Sequence, residues 1–86
     1  MHTVEILAEA LRVTKRLGYR IREEWLGGAG GGGCEFRGRK YFFLDLALGP
    51  AEQLDQVLDT LRRDPAALSL PMPDMLRELL QVRKTA

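Results

Sequence analysis

The chain predicts an α+β fold, a small three-stranded antiparallel sheet with helices packed on it in the order α-β-β-β-α-α. Three observations lead there. Apolar residues recur at the helical period near both ends of the chain. In the middle the period falls to two, the signature of a strand with one buried face. Between two of the strand-like stretches lies a run, 27–33, in which six of the seven residues are glycine.

Val4, Leu7, Ala8 and Leu11 share a helical face that Ile6, Ala10, Val13 and Leu17 widen, with Glu5, Glu9, Arg12 and Arg16 mainly opposite. The spacing predicts an amphipathic helix over 3–17, capped by Thr3 and ended by Gly18 in the left-handed conformation. Tyr19, Ile21 and Trp25 then alternate with Arg20, Arg22 and Glu24, which predicts a first strand. Glycine loses more freedom on ordering than any other residue, about 0.5–1 kcal/mol relative to alanine. Residues 27–32 are therefore expected as a mobile or irregular loop outside the sheet. A second strand over 34–36 turns at Arg37-Gly38-Arg39 into a third over 40–46. In that third strand Tyr41-Phe42-Phe43-Leu44 is apolar on both faces, which places it centrally or against a partner.

Gly49-Pro50 opens the next helix, with proline in its first turn, a stripe of Ala51, Leu54, Val57, Leu58 and Leu61, and Arg62 and Arg63 at its dipole-favoured end. Asp64-Pro65 interrupts it, and a last helix starting between 71 and 74 presents Met75, Leu76, Leu79 and Leu80. The expected core is Ile6, Leu7, Leu11, Leu17, Ile21, Phe43, Leu44, Leu54, Leu58 and Leu61.

Composition narrows the function classes. The 86 residues make a single domain, 1–86, and 45% hydrophobic content suits a globular chain. Thirteen basic side chains stand against twelve acidic ones, net +1, so no global field favours nucleic acid or a membrane surface. One cysteine excludes a disulfide framework and a cysteine-rich zinc site. Glu5, Glu9 and Arg12 break any apolar leader, and no stretch reaches the ~20 residues that span a bilayer. The expectation is a cytoplasmic protein with no membrane partner.

The motifs are weak. The segment Gly28-Ala29-Gly30-Gly31-Gly32-Gly33 satisfies G-x-G-x-x-G, but the dinucleotide fingerprint needs a helix next, and Cys34-Glu35-Phe36 reads as a strand. A backbone-amide nest for a small anion at Gly30, Gly31, Gly32 and Gly33, beside Cys34, is the ligand-binding alternative. Cys34 lacks a base at hand, since the only histidine is His2, and reads as a strand residue. Arg20, Arg22, Arg37, Arg39 and Lys40 are expected to cluster on the hairpin near Trp25 and Tyr41, a combination suited to single-stranded nucleic acid. Glu23, Glu24 and Glu35 in the same strands favour cross-strand ion pairs on a solvated sheet instead, so no nucleic-acid partner is expected. Asp45, Glu52, Asp55, Asp59, Asp64 and Asp74 are scattered, and nothing in the spacing pairs two of them for catalysis.

Gly18-Tyr19-Arg20-Ile21-Arg22, the glycines, Gly33-Cys34, Gly38-Arg39 and Phe43-Leu44-Asp45 resemble a small uncharacterised bacterial family with a G-G-G-x-C-like segment, a short hairpin and an x-E-Q helix. That resemblance implies no activity. The hairpin, then Leu48-Gly49-Pro50-Ala51-Glu52-Gln53 and an amphipathic helix, is similar to the core of the IrrE/ImmA-type zinc metallopeptidases. Their helix carries H-E-x-x-H, with two histidine ligands and a glutamate base. Aligned on Glu52-Gln53, that motif falls on Asp59-Thr60-Leu61-Arg62-Arg63, which lacks all three groups. This resemblance implies a fold and argues against zinc and proteolysis. The sequence thus predicts a non-enzymatic domain without metal or cofactor. It would act as a homodimer or adaptor through Tyr41, Phe42, Phe43, Met75 and Leu79.

Overall fold

The computed structural model describes residues 2–81. Among them the chain forms α1 (Thr3–Arg16), β1 (Arg20–Glu24), β2 (Gly32–Phe36), β3 (Arg39–Asp45), α2 (Pro50–Arg62), a 3-10 turn (Ala67–Ser69) and α3 (Asp74–Gln81). The predicted order stands, with the 3-10 turn added between the last two helices. His2 rather than Thr3 holds the N-cap of α1, where Glu5 reaches back to accept the His2 amide at 3.3 Å. Gly18 follows α1 with φ +98°, and Pro50 starts α2, where its missing N–H leaves no bond unmade.

The sheet order is β1-β3-β2, with β3 antiparallel to β2 and parallel to β1. The sheet is therefore mixed, which corrects the expected all-antiparallel arrangement. The reason is the path of the glycine-rich segment. It does not fold back as a hairpin but crosses the C-terminal end of β3, so β2 lies on the far edge and β3 is central. The Leu46 amide donates to the Glu24 carbonyl at 2.9 Å and extends the parallel ladder to that crossing.

Alternation along β3 divides the molecule. Phe42 and Leu44 point inward and join Ile6, Leu7, Ala10 and Val13 of α1, Leu54, Val57, Leu58 and Leu61 of α2, and Leu76 and Leu80 of α3 in one core. Ile21, opposite Phe42, packs against it with Leu11 and Leu17. All three helices share this side. Phe42 is 0% exposed, whereas Phe43 is half-buried on the opposite face. Phe42, expected at an interface, is thus core, and Phe43, expected in the core, is not, because successive strand residues face opposite ways. The last helix packs on α1 and α2 with Leu76 and Leu80 inward, leaving Met75 exposed and Leu79 half-buried.

Candidate functional site

Where the chain crosses the end of β3 it meets Asp45, which is fully buried. One oxygen of this carboxylate accepts the amides of Leu26 at 3.0 Å and Ala47 at 2.9 Å, and the other accepts the amide of Gly28 at 2.7 Å. Burial alone raises a carboxyl pKa, but these three amides outweigh it and hold Asp45 below the ordinary value of 3.8. The anion gripped by the first half of the glycine run is therefore the chain's own aspartate.

The second half is threaded between β3 and α2. A side chain at Gly31, where φ is +108°, would meet the Gln56 amide oxygen at 2.6 Å and the Phe43 carbonyl at 3.1 Å. At Gly33 a Cβ would lie 2.5 Å from the Thr60 methyl, and the Gly33 amide donates to the Thr60 hydroxyl at 3.1 Å. Gln56 donates to the Gly30 carbonyl at 3.3 Å. Glycine here is a requirement of close approach between backbone and helix. Residues 27–31 lie outside the sheet as expected, while Gly32 and Gly33 belong to β2. Of the anticipated ligand residues, Gly31, Gly32 and Gly33 line a shallow groove with Gln56, Thr60 and Arg63, and Gly30 sits just before it.

A polar cluster closes the other end of the helical side. The Tyr19 hydroxyl and the Lys40 ammonium each donate to the same Asp64 oxygen at 3.3 Å, and Lys40 lies 5.2 Å from the Tyr19 ring centroid. Burial raises the Asp64 pKa, but the Ala66 amide, Lys40 and Tyr19 together bring it below the ordinary value. Burial, and then the charge of Asp64, push the Tyr19 pKa up. This cluster ties β3 and the end of α1 to the end of α2. Cys34, a free exposed thiol, lines the adjoining cleft with Tyr19, Glu35 and Lys40.

The face of the sheet away from the helices carries another set of side chains. Strand register places Phe36 opposite Arg39, Tyr41 opposite both Arg20 and Cys34, and Phe43 opposite Arg22. The Tyr41 and Phe43 rings are stacked with centroids 6.2 Å apart, and Phe36 is 60% exposed. Glu35 is opposite Lys40 and Glu23 is opposite Leu44, so both belong to the helical side. Only Glu24 of the three strand glutamates has the parity of the open face. The ion pairs expected to neutralise the arginines are absent there among the described residues.

Of the expected interface residues, Tyr41 and Phe43 lie together on this face, while Met75 and Leu79 lie on α3, in the helical layer. Phe36 and Asp45 were missed. Phe36 stood as an ordinary strand residue, and Asp45 as one of several scattered acids. An aspartate closing an apolar strand was the available signal for a buried carboxylate. Among the described residues, no three His, Cys, Asp or Glu side chains converge on a common point for a metal ion. No described helix is long and apolar enough to cross a membrane. No family model matches the chain, and no curated protein or solved structure does.

Proposed function

We propose that the protein works by association and without catalysis, and that the open face of the sheet is its docking surface. One observation carries this reading. Tyr41, Phe43 and Phe36 form an aromatic row on the side of the sheet away from α1, α2 and α3. A contiguous apolar patch rimmed by polar groups marks an interaction site more often than it marks idle surface. The acids argue against chemistry. Asp45 and Asp64 are each held in the charged form by several donors, which suits a brace and not a proton carrier. A homodimer or an adaptor for another protein is the simplest form of such a domain. Sedimentation of the wild type, Tyr41→Ala and Phe43→Ala over a wide concentration range tests it. A complex that dissociates on either substitution supports the surface. A complex indifferent to both rejects it.

A further inference from the structure

We infer that the occupant of this face is a single-stranded nucleic acid, an inference that rests on the association reading and names its partner. The face repeats one chemical unit three times. Phe36 pairs with Arg39, Tyr41 with Arg20 and Phe43 with Arg22, so each aromatic residue has an arginine directly across the ladder. Rings offer a π surface to any base, and guanidinium groups offer charge to the phosphates between bases. Arg20, Arg22 and Arg39 have no ion pair among the described residues, and their charge is available to a ligand.

The objection from sequence was the acidic residues of these strands. The register removes most of it, because Glu23 and Glu35 share the parity of Leu44 and Lys40 on the helical side. The Lys40 ammonium is itself engaged there with Asp64. The chain is almost neutral overall, yet this face presents three exposed arginines against Glu24 and the buried Asp45 carboxylate, whose oxygens are already taken up by the Leu26, Gly28 and Ala47 amides.

Charge also disfavours a second copy on this surface. A twofold dimer through it would set three arginines against three, and like charges brought together across an interface cost affinity. An anionic partner reverses that sign. The partner must also present flat unstacked rings, which a duplex keeps inside its stack and a single strand displays. At one end of the row Phe36, Arg37, Arg39 and Tyr41 line a depression of about 390 Å³. Arg37 covers the Phe36 ring at 5.2 Å and must move aside or stack on the incoming base.

The test is anisotropy of a labelled dT oligonucleotide of about a dozen residues, a length that matches small single-strand sites. It is run beside a duplex of the same length and beside sedimentation of the protein alone. The single strand should bind more tightly than the duplex. Tyr41→Ala, Phe43→Ala and Phe36→Ala should each weaken it roughly 5- to 150-fold. The exposed Phe36 keeps the test valid should either other variant unfold. The slope of log affinity against log salt should be about −2 for three phosphate contacts, and shallower by about 0.7 in Arg22→Ala. Absence of saturable binding at about 50 mM salt overturns the inference. So does binding that ring substitutions leave unchanged, or that polyglutamate displaces as well as DNA does. A dimer that dissociates on Phe43→Ala with no oligonucleotide bound overturns the nucleic-acid partner and leaves association standing. Neither dimer nor oligonucleotide binding overturns the nucleic-acid partner and the homodimer alike.

Discussion

Phe42 and Phe43 are adjacent on the same strand and carry the same ring, yet one is sealed in the core and the other is half-exposed. The two faces of the sheet differ as those residues do. On the helical side the packing is so close that a Cβ at Gly33 would lie 2.5 Å from the Thr60 methyl, and three leucines and a valine of α2 share one core with Phe42 and Leu44. On the other side aromatic rings alternate with arginines that have no ion pair among the described residues. Both faces of β3 are apolar in sequence, so apolarity alone did not decide which one the helices took. The difference lies in the neighbours. Ile21 and Gly33 flank Phe42, giving an inner face that is apolar and free of bulk, whereas Arg22 and Gly32 flank Phe43. A helix docked over Arg22 would have to desolvate its charge.

The largest effect should come from exchanging the two rings for alanine. Phe42→Ala removes a fully buried aromatic and should cost about 3–5 kcal/mol in urea unfolding, with Leu58→Ala costing about 2–5 kcal/mol. Phe43→Ala should cost less than half of the Phe42→Ala loss. Equal losses at the two positions would break the comparison, because they would mean that the open face is as densely packed as the other.

A smaller effect isolates the tightest contact. Gly33→Ala puts a methyl where the Thr60 methyl stands 2.5 Å away, and overpacking of that kind costs about 1–3 kcal/mol. Thr60→Ser removes that methyl and keeps the hydroxyl that accepts the Gly33 amide. The double variant should recover most of the loss, measured as a coupling in a double-mutant cycle. Additive losses would mean that the β2–α2 approach is not limited by this pair.

What the sequence showed of this arrangement depended on range. The helices were legible because their information is local. Stripe, Pro50 and Gly18 all act within a few residues, and α2 begins at the predicted place. The parallel pairing of β1 with β3 was not legible, since Arg20 and Tyr41 meet across an intervening strand and no periodicity encodes a partner. The glycine run suggested freedom because entropy is a property of glycine alone. Its constraint comes from Asp45, Gln56 and Thr60, which lie 17 to 27 residues away from the groups they bind. The open face was half legible. Its arginines and Tyr41 were visible, but only the register moves Glu23 and Glu35 to the other face and leaves Glu24 beside them.

Acid probes the braced carboxylates. Asp45 and Asp64 both have folded pKa values below 3.8, so the unfolded chain binds more protons in acid. Their stabilisation is complete above that value and is lost as pH falls from it through the folded values. The melting temperature should therefore drop between about pH 5 and about pH 2. Asp45→Asn should lower it at neutral pH and flatten the drop, since the amide keeps only one acceptor oxygen for three backbone donors. An acid drop of the same size in Asp45→Asn would show that the crossing is held by something other than this carboxylate.

The smallest effect is the most informative about the open face. Phe36 is 60% exposed, and its removal should change stability by no more than about 0.5 kcal/mol, the ordinary range for a surface position. The same substitution should impair whatever association the face supports, because the ring is one of three in the row. Stability and binding then separate at a single residue, which core positions such as Phe42 do not allow. If Phe36→Ala instead costs more than about 1 kcal/mol in dilute protein, where association is absent, the ring must be packed within the monomer. The face would then be closed, and the contrast between the two sides of the sheet would not survive.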